Sequence, residues 1–210
     1  RMSRVLAEFR RRRREGGLTV AWLDGQAREA AEAFLAFHHV GGGYLAEAIT
    51  LLCEMATLDE AELARPGVQG LFPFLVERLS DAFDPRYCEL YDRLFVQVVG
   101  FCRRLPQGSA LDQALERFGL SHGVDLLRRK ERLRAWRRLP EPGREAVVKV
   151  LLLSRVTLGA DVAVTSVCMA GAKAALPGAE LVLLGLPGTA GLFAADKRVR
   201  VHQVAYDRGG

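Results

Sequence analysis

The sequence predicts an α/β fold in two parts, a mainly helical region over residues 1–140 and a partial β-α-β-α-β unit over residues 141–210. Three observations lead there. The apolar residues before Pro140 recur at helical spacing. Pro140-Glu141-Pro142-Gly143 then supplies two prolines and a glycine, which end a helix and mark a linker. After it come short apolar runs alternating with one Ala-rich helical segment, the order of a parallel sheet with crossover helices. With 210 residues, 50% hydrophobic and 26% charged, the chain has enough material for one large or two small cores.

Taken in order, residues 2–14 predict a helix with Val5, Leu6 and Phe9 as its apolar stripe, stopped by Gly16-Gly17. Residues 18–23 are expected to be irregular or briefly extended. The Ala- and Glu-rich stretch 25–39 favours helix, Gly41-Gly42-Gly43 breaks it, and 44–56 is the next helix. Thr57-x-x-Glu60 has the pattern of a capping box opening a short acidic helix. Pro66-Gly67 is expected to separate that helix from an apolar one ending near Phe83. Asp84-Pro85 marks a clear helix start, with Asp as N-cap and Pro in the first turn. Tyr87, Tyr91, Leu94, Phe95, Val98 and Cys102 then form a core-facing stripe. A helix over 109–118 and a basic helix over 122–138 complete six or seven helices.

In the second part, the apolar run 146–153 reads as a strand buried on both faces. Residues 154–160 are a loop, 161–175 a helix stopped by Pro177-Gly178, and 180–184 a second buried strand. A short helix over 189–195 and a third strand over 199–204 follow, the opening of a doubly wound parallel sheet. Ligands bind such sheets beyond the carboxyl ends of the strands, here the loop Ser154 to Asp161. Three strands leave an edge that needs cover. The expectation is that the natural protein continues past Gly210, or that residues 1–140 cover the sheet. Arg1 ahead of Met2 suggests an added or trimmed end.

Other function classes are narrowed by composition. Asp161, Lys173 and Glu180 interrupt the most apolar region, so no membrane-spanning helix is expected. Cys53, Cys88, Cys102 and Cys168 form no C-x-x-C pair and lie in apolar segments, as buried free thiols of a reducing, cytoplasmic protein would. His38, His39, His122 and His202 lack metal-ligand spacing, so no zinc site is expected. The net charge of +5 is concentrated in residues 1–14 and 128–138; elsewhere acidic residues outnumber basic ones. Arg10 to Arg14 suit an anionic polymer or membrane, or a solvated helix end. Arg128 to Arg138, interleaved with Leu133 and Trp136, suits peripheral contact with an anionic membrane, or simply water. No nucleic-acid motif accompanies either cluster, so nucleic acid is not the expected partner. His38-His39 beside three glycines forms a site or a favourable helix C-terminus.

The segment from Ser154-Arg155-Val156-Thr157-Leu158-Gly159-Ala160-Asp161, through Leu176-Pro177-Gly178-Ala179-Glu180-Leu181, to Asp196 and Arg198-Val199-Arg200 carries the most information. It resembles the N-terminal half of family 9 glycosyltransferases, the heptosyltransferase-like group. In that family a first strand leads into a Gly-Asp turn and a helix, then a Pro-x-Ala-x-(Ile/Leu) entry to strand two and an Asp-Pro-x-Val approach to strand three. The resemblance covers about residues 146–208. Here Ala160 separates Gly159 from Asp161, and Lys197 stands where the family has proline. It implies a Rossmann-like unit, the N-terminal part of a GT-B fold. The implied activity is metal-independent, inverting sugar transfer from a nucleotide-sugar donor to a cell-envelope glycan or related acceptor, with no further cofactor. By resemblance Asp161 is the catalytic base, while Gly159, Ala160, Thr165 and Ser166 line the substrate. The family's donor nucleotide is held by a second, C-terminal domain, so these 210 residues alone are expected to be inactive. The enzyme would sit in the cytoplasm, at most peripheral to the inner membrane face. The rival reading is a non-enzymatic helical module gripping an anionic polymer or membrane with its Arg clusters; a helical scaffold assembled through its α/β tail is a third.

Overall fold

The computed structural model describes residues 1–81, 84–135, 143, 145–154 and 158–204, and the chain divides into two compact units, Arg1–Ala135 and Trp136–Gly210. The expected linker, apart from Gly143, lies outside the described residues. So do Phe83, residues 136–138 of the basic helix, Arg155 to Thr157 and everything after Val204. Among the described residues the protein is mainly helical with one small parallel sheet, and no helix is long and apolar enough to cross a membrane.

The first unit begins with α1 (Met2–Glu15), which buries Met2, Leu6 and Phe9 and closes at Gly16 with φ 71°. Helix α2 (Val20–His39) starts earlier than the sequence suggests. Thr19 accepts a hydrogen bond from the Trp22 N–H and caps it, so residues 20–23 are helical, not irregular. Helix α3 (Ala46–Ala56) follows the glycine break and is buried along Ala48, Ile49, Leu51, Leu52, Cys53 and Met55. Thr57 does not open a capping box. Its hydroxyl donates back to the Cys53 and Glu54 carbonyls at 3.0 and 3.3 Å, closing α3 instead.

Helix α4 (Ala61–Leu71) runs straight through Pro66, continues as a π-helical turn (Phe72–Val76) and passes into α5 (Glu77–Asp81). The expected break at Pro66-Gly67 is therefore a crossing. A Cβ on Gly67 would lie 2.3 Å from the Ala56 backbone nitrogen, and one on Gly70 would lie 2.4 Å from Leu52. Gly67 and Gly70 let the helix backbone rest directly on α3, and this packing lies across the position of the proline. Asp84 caps α6 (Pro85–Cys102) as expected, accepting from the Arg86 N–H at 2.9 Å. Leu90 and Leu94 are its buried residues, while Tyr87, Tyr91, Phe95 and Val98 pack partly buried beside the core. A 3-10 turn (Pro106–Gly108), α7 (Ser109–Arg117) and α8 (Gly123–Ala135) complete the unit. One cluster centred on Phe9, Leu23, Phe34, Ile49, Leu52, Met55 and Leu75 holds α1 to α6 together.

The second unit carries β1 (Lys149–Leu153), β2 (Glu180–Gly185) and β3 (Val199–Gln203), all parallel, in the order β1-β2-β3. A helical turn (Leu158–Ala160), a π turn (Asp161–Thr165) and α9 (Ser166–Ala175) link β1 to β2; α10 (Pro187–Phe193) links β2 to β3. Both crossovers step the same way, so right-handed connections put both helices on one face. That face is the core: Val150, Leu152, Leu181, Leu183, Val199 and Val201 pack with Met169 and Ala172 of α9 and Phe193 of α10. Helix α10 is anchored beyond its end, where Asp196 pairs with Lys173.

The central strand β2 is buried as expected, but β1 is not buried on both faces: Leu151 and Leu153 are 62% and 66% exposed. Their face also carries Glu180, flanked by Lys149 at 3.4 Å and Arg200 at 3.2 Å. The cysteine expectation is corrected as well. Among the four, Cys53 is buried, Cys102 is half-buried toward the core, and Cys88 and Cys168 are exposed on outward faces of their helices.

Candidate functional site

The second unit brings four polar side chains together at the carboxyl ends of β1 and β2. Ser154 follows β1 directly, and its N–H extends the ladder to the Leu184 carbonyl at 2.8 Å. Asp161 opens the π turn, Thr165 ends it, and Thr189 lies in α10 just after β2. The Asp161 carboxylate is only 1% exposed. Its Oδ2 accepts from Ser154 Oγ at 2.6 Å and Thr189 Oγ1 at 3.3 Å, and its Oδ1 accepts from Thr165 Oγ1 at 2.8 Å. A buried carboxylate needs such donors, since desolvation without them would be prohibitive.

Backbone geometry makes this convergence feasible. Parallel pairing sets Leu153 beside Leu184, so the residues after both strands emerge side by side. Gly185 sits between them; a Cβ there would lie 3.1 Å from both the Ser154 and Thr189 side chains. The π turn widens the helix by one residue at the point where Asp161 and Thr165 face inward, a feature frequent at functional sites.

Of the residues singled out in the sequence, Asp161 and Thr165 meet. Ser166 turns away and donates to the Val162 carbonyl within its own helix. Gly159 is exposed with open space where a Cβ would stand, and Ala160 is half-buried. Sequence reasoning missed Ser154 and Thr189 as partners of Asp161. The available signal was positional: each is the first hydroxyl after a strand end.

The arginine clusters look different in space. Arg10 pairs with Glu54 at 2.5 Å, Arg11 with Glu8 and Glu15, and Arg12 with Glu8 while stacking over Trp22 at 4.8 Å. The two arginines beside Glu8 hold its carboxyl at about 2, well below the usual range. Three of the five consecutive arginines are therefore engaged within the unit. His39 hydrogen-bonds the Tyr87 hydroxyl at 3.0 Å, and His38 lies against the same ring, so these histidines join α2 to α6.

No family model, no curated protein and no solved structure matches this chain.

Proposed function

We propose that the second unit is the acceptor-side part of a sugar-transferring enzyme of the heptosyltransferase-like type, with a Rossmann-like, GT-B N-terminal fold and Asp161 as its base. The observation that carries the reading is the Asp161 carboxylate set among hydroxyl donors at the carboxyl end of the first strand. An acceptor sugar presents the same kind of donor. Thr189, at 3.3 Å the longest of these hydroxyl contacts among the described residues, is the hydroxyl an acceptor would displace. The acceptor O–H proton then passes to Asp161 as its oxygen bonds the anomeric carbon. The bond from that carbon to the phosphate oxygen breaks, and its electron pair leaves with the nucleoside diphosphate. The reading places the donor nucleotide on a further domain outside these residues.

The test is transfer by the protein at its natural length, offered a panel of nucleotide-sugars with simple glycan acceptors. The expected result is nucleoside diphosphate release that is abolished by Asp161→Ala, with the variant still folded. Release that persists in that variant, or no release with any donor, removes the assignment. The rival binding-module reading loses most of its first cluster to the Glu8, Glu15 and Glu54 pairs.

A further inference from the structure

A surface in the first unit has no part in sugar transfer and stands independently of that reading. Arg103, at the end of α6, is nearly buried and acts as a staple. Its Nε donates to Asp112 at 2.5 Å, its Nη2 to Glu116 at 2.8 Å, and its Nη1 to the Leu120 and Ser121 carbonyls, both at 2.8 Å. This fixes α7 and the turn after it, in which Gly119 takes φ 66°. The result holds Phe118 outward, 66% exposed, with the Arg129 guanidinium 5.4 Å from its ring centre. Leu133, 55% exposed, lies one turn beyond Arg129 on the same side of α8. Arg128, Arg129 and Arg132 crown the same helix, with Asp125 and Glu131 as its acidic residues. Lys130 belongs to the inner face, where it pairs with Asp92.

We propose that this α7–α8 corner docks on an anionic phospholipid surface. Apolar side chains with arginines around them match the boundary between acyl chains and charged headgroups. Nucleic acid would use the arginines but leave Phe118 and Leu133 in water. A second copy would set arginine against arginine.

The experiment is co-sedimentation of the whole chain with vesicles of phosphatidylcholine alone and with about a third phosphatidylglycerol. Binding is expected only to the anionic vesicles. The double variant Arg129→Glu, Arg132→Glu is expected to weaken it at least about twentyfold, and Phe118→Ser with Leu133→Ser about tenfold. All four side chains are exposed or near the rim, so unchanged circular dichroism is expected and separates lost binding from lost fold. Equal binding to neutral vesicles, or full binding by either double variant, overturns the proposal. So does binding of RNA or DNA without vesicle binding, or a dimer that the Phe118 variant dissolves. Asp161→Ala is expected to leave vesicle binding unchanged, which keeps this test separate from that of the transferase reading.

Discussion

The two units solve opposite problems. The helical unit buries its large apolar side chains in one closed cluster and puts its charges outside, many of them in short ion pairs such as Arg10 with Glu54. The α/β unit has a far smaller apolar centre, buries a carboxylate beside it and leaves Leu151 and Leu153 facing water. The first is what apolar burial alone produces. The second places a polar cluster at the strand ends and leaves Leu151 and Leu153 of its edge strand exposed. A polar group kept buried at the strand ends of a small unit, where an apolar one would pack at lower cost, is the arrangement expected of a site.

The largest effect that would break this contrast is in the helical core. Phe34→Ala removes a fully buried ring and is expected to cost about 4 kcal/mol. Hydrogen exchange read by mass spectrometry should then show lost protection across α1 to α6 and unchanged protection in β1 to β3. Equal loss in both units would mean that they share one core. Gly67→Val should act in the same direction, because its side chain meets the α3 backbone and helix backbones cannot yield as side chains do.

Next comes the polar cluster. Asp161→Ala leaves the hydroxyls of Ser154, Thr165 and Thr189 without their shared acceptor and is expected to cost about 2–3 kcal/mol, read as the same kind of protection loss, now confined to the α/β unit. Asp161→Asn keeps one acceptor oxygen and should cost less. If neither substitution moves exchange in β1 and β2, the carboxylate does not hold the strand ends together. Leu151→Thr marks the opposite limit: at an exposed position of the sheet it is expected to change stability by no more than about 0.5 kcal/mol.

Thiol labelling sharpens the comparison without altering the fold. Burial pushes the Cys53 thiol up to about 12, whereas Cys88 and Cys168 are exposed. At neutral pH an aromatic disulfide reagent should label Cys88 and Cys168 first, Cys102 later, and Cys53 only as the helical core opens. Fast labelling of Cys53 would mean that the core is looser than its packing indicates.

What the sequence made legible follows the range of the interactions involved. The Asp84 cap, the Gly41–Gly43 break and the three strands rest on neighbours within a few residues, and all three were readable. Pro66 was misread because a local breaker signal says nothing of the packing of Gly67 against a different helix, which only the fold brings about. The exposed face of β1 was misread because a continuous apolar run says nothing about whether a second layer is present. At the candidate site, Asp161 and Thr165 lie within one turn and could be paired from sequence. Thr189 is 28 residues from Asp161 and reaches it only through the strand register.

The smallest effect expected is at the outer edge of the helical unit. The Arg11 and Arg12 hydrogen bonds hold the Glu8 carboxyl at about 2, below its ordinary 4.5. A group lowered on folding contributes stability that is fully present above its unfolded value and is lost as pH falls through the folded one. The contribution should therefore be intact at pH 5 and above and fade between about pH 4.5 and 2. Glu8 lies at the surface, where solvent and salt screen the pairs, so Glu8→Gln should flatten the acid limb of a melting-temperature profile only slightly, and less at high salt. The same substitution releases Arg11 and Arg12 from one shared partner. If anionic vesicles then bind appreciably tighter, the arginines of α1 are held back from a ligand by their own carboxylates; if vesicle binding is unchanged, their pairing serves the helix alone and the α7–α8 corner is the surface that matters.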